Sequence, residues 1–273
     1  MAGRGRRPEF VESLARGLDV LAAFNPDRPA MTLSEVAAAA DLARPTARRL
    51  LLTLEELGYI RSRGGSFTLT PRVMGLGMAY VGSLGLWDIA RPHMEDLVGR
   101  ISESVSMAQL DGSDIVYVAR VSVPKIIALQ VDIGTLFPAA QTSKGKVLLA
   151  ALPPARVPEV LEEPSRSGLP PYIGRSLDQL MEELTEVRAR GWAIADEELA
   201  PGVRSIAAPV RDGHGIVHSA MSVTVHAAET SRATLLDDHL PHLLRTAGDV
   251  SAEWALWQSR PHTGLPRPSD AAG

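Results

Sequence analysis

Residues 30–69, AMTLSEVAAAADLARPTARRLLLTLEELGYIRSRGGSFTL, decide the fold of the front of this chain. Thr32 and Glu35 have the T-x-x-E spacing in which each side chain can bond the other's backbone N–H, so a helix is predicted to begin at Leu33. Val36, Ala37 and Ala40 give it an apolar stripe, and it stops near Asp41. Three residues later a second helix begins, with Pro45 in its first turn, where backbone N–H groups have no internal partner. Ala47, Leu50, Leu51, Leu54 and Leu57 recur at helical spacing as its inner face, and Gly58 closes it. The other face carries Arg44 and Arg48, flanked by Thr46 and Arg49. Tyr59–Ser62 and Ser66–Leu69 then read as strands about an Arg63-Gly64-Gly65 tip. Two helices, a short turn and a hairpin make a winged helix-turn-helix over residues 10–72.

The second helix of such a motif is the one that enters the major groove, and its first residues reach base edges. Arginine can bond guanine O6 and N7 with both arms of its fork, and a helix N-terminus adds positive potential toward phosphate. Arg44, Thr46, Arg48 and Arg49, with Arg61 and Arg63 on the wing, are therefore the candidate contacts to double-stranded operator DNA. The plainer alternative is a solvated surface. The ordered sequence of cap, short turn, arginine-headed helix and basic hairpin favours DNA.

Upstream, FVESLARGLDVLAAF repeats Phe10, Leu14, Leu18 and Leu21 at helical spacing, ended by Asn25-Pro26. Residues 1–9 form a basic arm expected to be disordered or to touch DNA. Residues 1–72 hold 11 basic and 8 acidic residues, while the other 201 hold 17 and 24. A basic front and an acidic back suggest one domain facing a polyanion and one facing something else. The chain has 273 residues, 45% of them hydrophobic and none of them cysteine, which suits two domains and excludes disulfides and thiolate metal sites. No secretory signal and no membrane-length apolar run are seen, so a cytoplasmic protein without a membrane partner is expected.

Downstream, residues 73–86 read as a linker helix whose narrow stripe of Met74, Met78 and Val81 asks for a partner, most simply a second copy. Residues 87–259 alternate helices and strands. A helix spans about Trp87 to Ser102, a hairpin turns at Asp111-Gly112, and KIIALQV is a further strand. TSKGKVLLAALP and SLDQLMEELTEVRARGW are helices. WAIADEE, RSIAAPV and IVHSAMSVTV are strands, and Glu229 to Gln258 is a closing helix. Helices set around an antiparallel sheet make an α+β domain. The proline-rich residues 260–273 are expected to be a disordered tail.

Two features of this second domain suggest a ligand. In VHSAMSVTVH, His218, Ala220, Ser222 and Thr224 share one small, polar sheet face, opposite Met221, Val223 and Val225. Thr142 can cap a helix beginning at Ser143, leaving the N–H groups of Ser143, Lys144 and Gly145, and a lysine, for a carboxylate. The alternative is a solvated face and an ordinary cap. Enzyme signatures are weak. SKGK lacks the remainder of a phosphate loop, and Glu197-Glu198 would point to opposite faces of a strand. Asp237, Asp238, His239 and His242 could hold a metal on one helix turn but more often solvate a helix start, so no metal, cofactor or catalytic residue is expected. A protein-interaction module that does not touch DNA is the other rival.

Taken in order, SLARGLDVLAAF, LSEVAAAADLARPTARRLLLTLEELGYI, TSKGKVLLA, DEELAPGVRSIAAPVRD and SAMSV resemble an IclR-type transcriptional regulator over about residues 10–257. LTPRVMGLGMAYV and LWDIARPHMEDL with DIVYVARV look most like the PcaR/PcaU/PobR branch, which controls aromatic-acid catabolism through the β-ketoadipate pathway. The resemblance implies a winged helix joined by a linker helix to a GAF-like effector domain, in homodimers or dimers of dimers, with a small carboxylate effector. It implies an effector site at Ser143, Lys144, Ser205, Ser222 and Thr224, to which the capping position adds Thr142. An acidic pocket residue of some members falls near Ala195-Asp196, which nominates Asp196. Many members carry serine where Ala43 stands, so the side-chain cap of the recognition helix is missing here.

Overall fold

The computed structural model describes residues 9–25, 27–83, 85–124, 131–169 and 174–260. The basic arm, the tail beyond Arg260 and nearly all of KIIALQV lie outside these. The chain divides into two compact units at Ser83–Leu84, so the linker helix belongs to the first.

In the first unit, α1 (Glu12–Ala22) precedes β1 (Ala30–Thr32), α2 (Leu33–Ala39) and α3 (Arg44–Glu56). The capping box forms as expected. Thr32 N–H donates to the Glu35 carboxylate at 2.7 Å and Glu35 N–H to the Thr32 hydroxyl at 3.4 Å. Asp41 takes a left-handed φ of 53° and ends α2, while α3 starts without a side-chain cap at Ala43. β2 (Ile60–Arg63) and β3 (Ser66–Leu69) form the hairpin, with positive φ at both Gly64 and Gly65. Two such residues are what the tight mirror-image turns of hairpins require. β1 pairs with β3 and gives the wing a third strand that the sequence pattern did not reveal.

The core of this unit joins Val20, Phe24, Met31, Val36, Leu51 and Ile60. Two expectations change. Leu57 is exposed, because α3 ends one residue before it. The helix α1 begins at Glu12, so Phe10 precedes it, and Phe10 with Leu14 and Leu18 of α1 is exposed, because the core takes Val20, Phe24 and part of Leu21 instead. The linker helix α4 (Met74–Ser83), entered through a 3-10 turn at Pro71–Val73, also exposes Met74, Leu76, Met78 and Tyr80.

The second unit begins with α5 (Leu86–Ile101), followed by β4 (Ser104–Asp111), β5 (Asp114–Val121) and β6 (Leu136–Pro138). Then come α6 (Ser143–Ala151), α7 (Arg156–Leu161), α8 (Leu177–Arg190), β7 (Ala193–Asp196), β8 (Val203–Arg211) and β9 (Val217–His226). The short α9 (Arg232–Thr234) runs through a π turn at Leu235–His239 into α10 (Leu240–Gln258). The strands form one antiparallel sheet in the order β6-β5-β4-β9-β8-β7. One face packs on α5 and α10 through Met94, Val105, Met221, Val223 and Trp254. The other packs on α6, α7 and α8 through Ala108, Ala207, Ala220, Leu149 and Leu184. The small polar face of β9 is therefore covered by α6 and is not solvated. His218 leaves that face. The register shift at Val210/Arg211 turns it onto the Trp254 ring, with centroids 5.4 Å apart. A backbone bulge re-aims a side chain in this way.

Candidate functional site

On the first unit, Arg44, Arg48, Arg49, Arg61 and Arg63 are all exposed, and Thr46 is half-buried. Arg44 and Arg48 stand one turn apart on α3. Thr46 and Arg49, with Leu50 and Thr53, line a cleft of 790 Å³ shared with Glu12, Ser13, Leu14 and Arg16 of α1. Among the described residues none of these five guanidinium groups is ion-paired, whereas Arg16, Arg91 and Arg156 are paired along their own helices. Free arginine forks at a helix start and on a hairpin can form the bidentate contacts that phosphate and guanine require. The inner face holds the helix in place, with Ala47 and Leu51 wholly buried.

On the second unit, the site is built on the sheet face under α6. Thr142 caps α6 by accepting from Gly145 N–H at 3.0 Å. That N–H is thus occupied, and only those of Ser143 and Lys144 remain of the three anticipated. Gly145 allows the helix to close on the preceding turn, since a Cβ there would lie 2.0 Å from the Ala139 carbonyl oxygen. Lys144 is buried and its side chain points into the sheet. Its amine donates to Ser106 Oγ at 2.8 Å and Ser222 Oγ at 2.9 Å, 3.7 Å from the centre of the Tyr117 ring. Burial first, and the positive Arg120 guanidinium second, hold this amine well below the usual lysine range. Burial pushes the Tyr117 phenol up to about 12, so it stays protonated.

Ser143 and Ser205 hydroxyls meet at 2.8 Å. The cross-strand register sets Ser104, Thr224, Ser205 and Ala195 in one row, and Ser106, Ser222 and Ala207 in the next. The first row is half-buried at Ser104, Thr224 and Ser205, and the second is buried. The face thus runs from a partly open edge of hydroxyls to a closed amine.

Thr142, Ser143, Lys144, Ser205, Ser222 and Thr224 are brought together. Asp196 is not. Its partner across the ladder is Arg204, beyond the Ala195–Ser205 row, so its side chain emerges on the opposite sheet face. There Arg204 Nε holds its carboxylate at 2.6 Å. The residue beside Ser205 on the α6 face is Ala195, which brings no negative charge. Sequence reading missed Ser106 and Tyr117. A signal for Ser106 exists, because Ser104, Ser106 and Ala108 alternate with Val105 and Met107 as the β9 residues do. Tyr117 had none, because its direction depends on the bulge at Met107/Ala108. Asp237, Asp238, His239 and His242 belong to no group of three or more ligands suited to a metal ion among the described residues. No helix among them is long and apolar enough to cross a membrane.

A winged helix-turn-helix with free arginines, followed by a separate sheet domain with an enclosed polar site, defines a DNA-binding regulator with its own small-molecule domain. The comparisons agree. Residues 13–64 match the IclR helix-turn-helix domain and residues 78–252 the bacterial transcriptional regulator IclR C-terminal domain, so the chain belongs to the IclR family of transcriptional regulators. It is 36% identical over 247 residues to the Pca regulon regulatory protein of Pseudomonas putida, covering 89% of this chain and 84% of that one. It is 32% identical over 250 residues to the p-hydroxybenzoate hydroxylase transcriptional activator of Acinetobacter baylyi, covering 90% and 92%. An IclR homologue from Microbacterium hydrocarbonoxydans, solved as a complex with 4-hydroxybenzoate, superposes with a TM-score of 0.75 at 26% identity, covering 89% of this chain and 99% of that one. These relatives are regulators, and the chain is a regulator rather than an enzyme.

Proposed function

We propose that this regulator controls aromatic-acid catabolism and that its effector is a small aromatic or keto-acid carboxylate bound on the α6 face of the second domain. The observation that carries the reading is the buried Lys144 amine between the Ser106 and Ser222 hydroxyls, which has no carboxylate partner among the described residues. A ligand carboxylate would complete it, with Ser143, Ser205 and Thr224 bonding the rest of the molecule and the Tyr117–Phe137 edge-to-face pair offering an aromatic wall. The named relatives and the 4-hydroxybenzoate complex support the same class. Asp196 has no part in this site.

Arg44, Thr46, Arg48, Arg49, Arg61 and Arg63 read the operator. The regulator works in the cytoplasm as a homodimer, because the exposed apolar faces of α1 and α4 need covering. The two recognition helices then enter successive major grooves about 34–36 Å apart. The effector biases the spacing of the DNA-binding units, by no more than its differential affinity for the two arrangements. Calorimetric titration of the full chain with 4-hydroxybenzoate, protocatechuate and β-ketoadipate tests this. Micromolar-range binding by at least one, coupled to a change in operator affinity, is expected. Silence from all three, with an unrelated metabolite releasing the protein from DNA, refutes the assignment.

A further inference from the structure

We infer that the Lys144 amine is neutral while the site is empty and takes up one proton from solvent as it receives the ligand's carboxylate, so that effector binding is coupled to pH. The inference rests on the carboxylate reading above and adds the charge state of the site.

The geometry supports it from each neighbouring element. From β4 the amine meets the Ser106 hydroxyl and from β9 the Ser222 hydroxyl, and both are neutral acceptors. From β5 it meets the face of the Tyr117 ring, and the positive charge of Arg120 acts on it from the same strand. Among the described residues it has no carboxylate partner. Two hydroxyl acceptors match the two N–H groups of a neutral amine, and the third that protonation adds finds only the ring. A buried ammonium without an ion-pair partner is costly, and the usual outcome is loss of the proton.

Two residues along the same helix lies a control. Lys146 is equally buried, but it is paired with Glu183 at 2.9 Å and Glu198 at 2.6 Å and also donates to the Ile194 carbonyl at 3.2 Å. The domain thus has the means to give a buried lysine carboxylates and withholds them from Lys144. Residue choice points the same way. Of the 28 basic residues 25 are arginine, which does not deprotonate in proteins, and only Lys125, Lys144 and Lys146 are lysine. The amine that meets the two hydroxyls is thus of the type that can release its proton.

The sign follows. A bound carboxylate raises the amine's affinity for a proton, so the complex holds more protons than its separated parts, and binding weakens as pH rises between the two titrations. The Tyr117 phenol keeps its proton throughout that range. Calorimetric titration of the full chain with the three acids, in two buffers of different ionisation enthalpy at one pH, counts the protons. An uptake near one is expected, with affinity falling by up to about tenfold per pH unit between the titration of the free amine and that of the bound one. With three lysines, the NMR spectrum of side-chain-labelled lysine is simple, and the signal absent from Lys144→Met identifies the amine. In the free protein it is expected to report a neutral group at the pH at which the proton uptake is counted. Binding without proton uptake, or a Lys144 signal that reports a charged amine throughout, overturns this inference and leaves the carboxylate reading intact. Failure of all three acids to bind overturns both.

Discussion

Two helices of this molecule begin with cations, and the two beginnings are used in opposite ways. At the start of α3, Ala43 supplies no cap, and Arg44, Arg48 and Arg49 stand in solvent. At the start of α6, Thr142 caps, Gly145 is closed against the Ala139 backbone, and Ser143 and Lys144 are buried. An exposed guanidinium always carries its charge and can meet any phosphate that approaches. A buried amine carries its charge only when something balances it. The first arrangement suits a long polyanion, and the second suits one small anion that must be told from others.

If packing fixes the start of α6, Gly145→Ala should be the most damaging single substitution in this region. Its Cβ would lie 2.0 Å from the Ala139 oxygen and 2.4 Å from the Ala139 Cα, both backbone atoms. The expected loss exceeds about 4 kcal/mol, measured by denaturant unfolding, with ligand binding abolished. A wild-type midpoint would mean that the Ala139 turn yields and that α6 is not held as described.

The two lysines of α6 offer the next test. Lys146→Met leaves Glu183 and Glu198 with Arg175 as their remaining cation, one Glu198 oxygen being unbonded already, and should cost about 3 kcal/mol. Lys144→Met removes an amine that has no carboxylate and leaves the buried Ser106 and Ser222 hydroxyls to bond each other, so a smaller loss of about 1 kcal/mol is expected. Equal losses in the two variants would erase the distinction between them.

That distinction was not legible in the sequence, where SKGK shows two equivalent lysines. The capping box, the short turn and the Gly64-Gly65 hairpin are local, so the winged helix could be read from spacing. The face of β9 was legible too, because strand side chains alternate. What lies above that face depends on which helix the chain folds across it, and no local pattern carries that. Asp196 was misplaced by a single residue, which in a strand exchanges the two faces. The α1 stripe was seen, but its exposure was not, because two apolar faces compete for one core.

On the exposed side, Arg48→Ala sharpens the comparison at the level of DNA. A base reader should lose about 1–3 kcal/mol of operator binding in a gel-shift titration and relax the preference at one position. A phosphate contact should weaken all sequences alike and reduce the salt slope by about one. Unchanged affinity and preference would remove Arg48 from the interface. The same substitution should leave the effector's affinity for the free protein unaltered.

The smallest change is the most specific test of the α3 start. Its first turn is held by Pro45, which fixes one φ, and by the burial of Ala47 and Leu51. Ala43 already has the extended backbone of a capping residue, with φ −63° and ψ 138°. A serine there needs only to rotate its hydroxyl toward the free N–H groups of the first turn. Ala43→Ser should therefore stabilise the first unit by about 1 kcal/mol, raising its melting midpoint by a few degrees. The equivalent position of α6 offers no such gain, since Thr142 is already bonded to Gly145 N–H. If Ala43→Ser stabilises the unit but weakens operator binding, the uncapped start has a use, because the N–H groups that serine would occupy are then ones that phosphate needs.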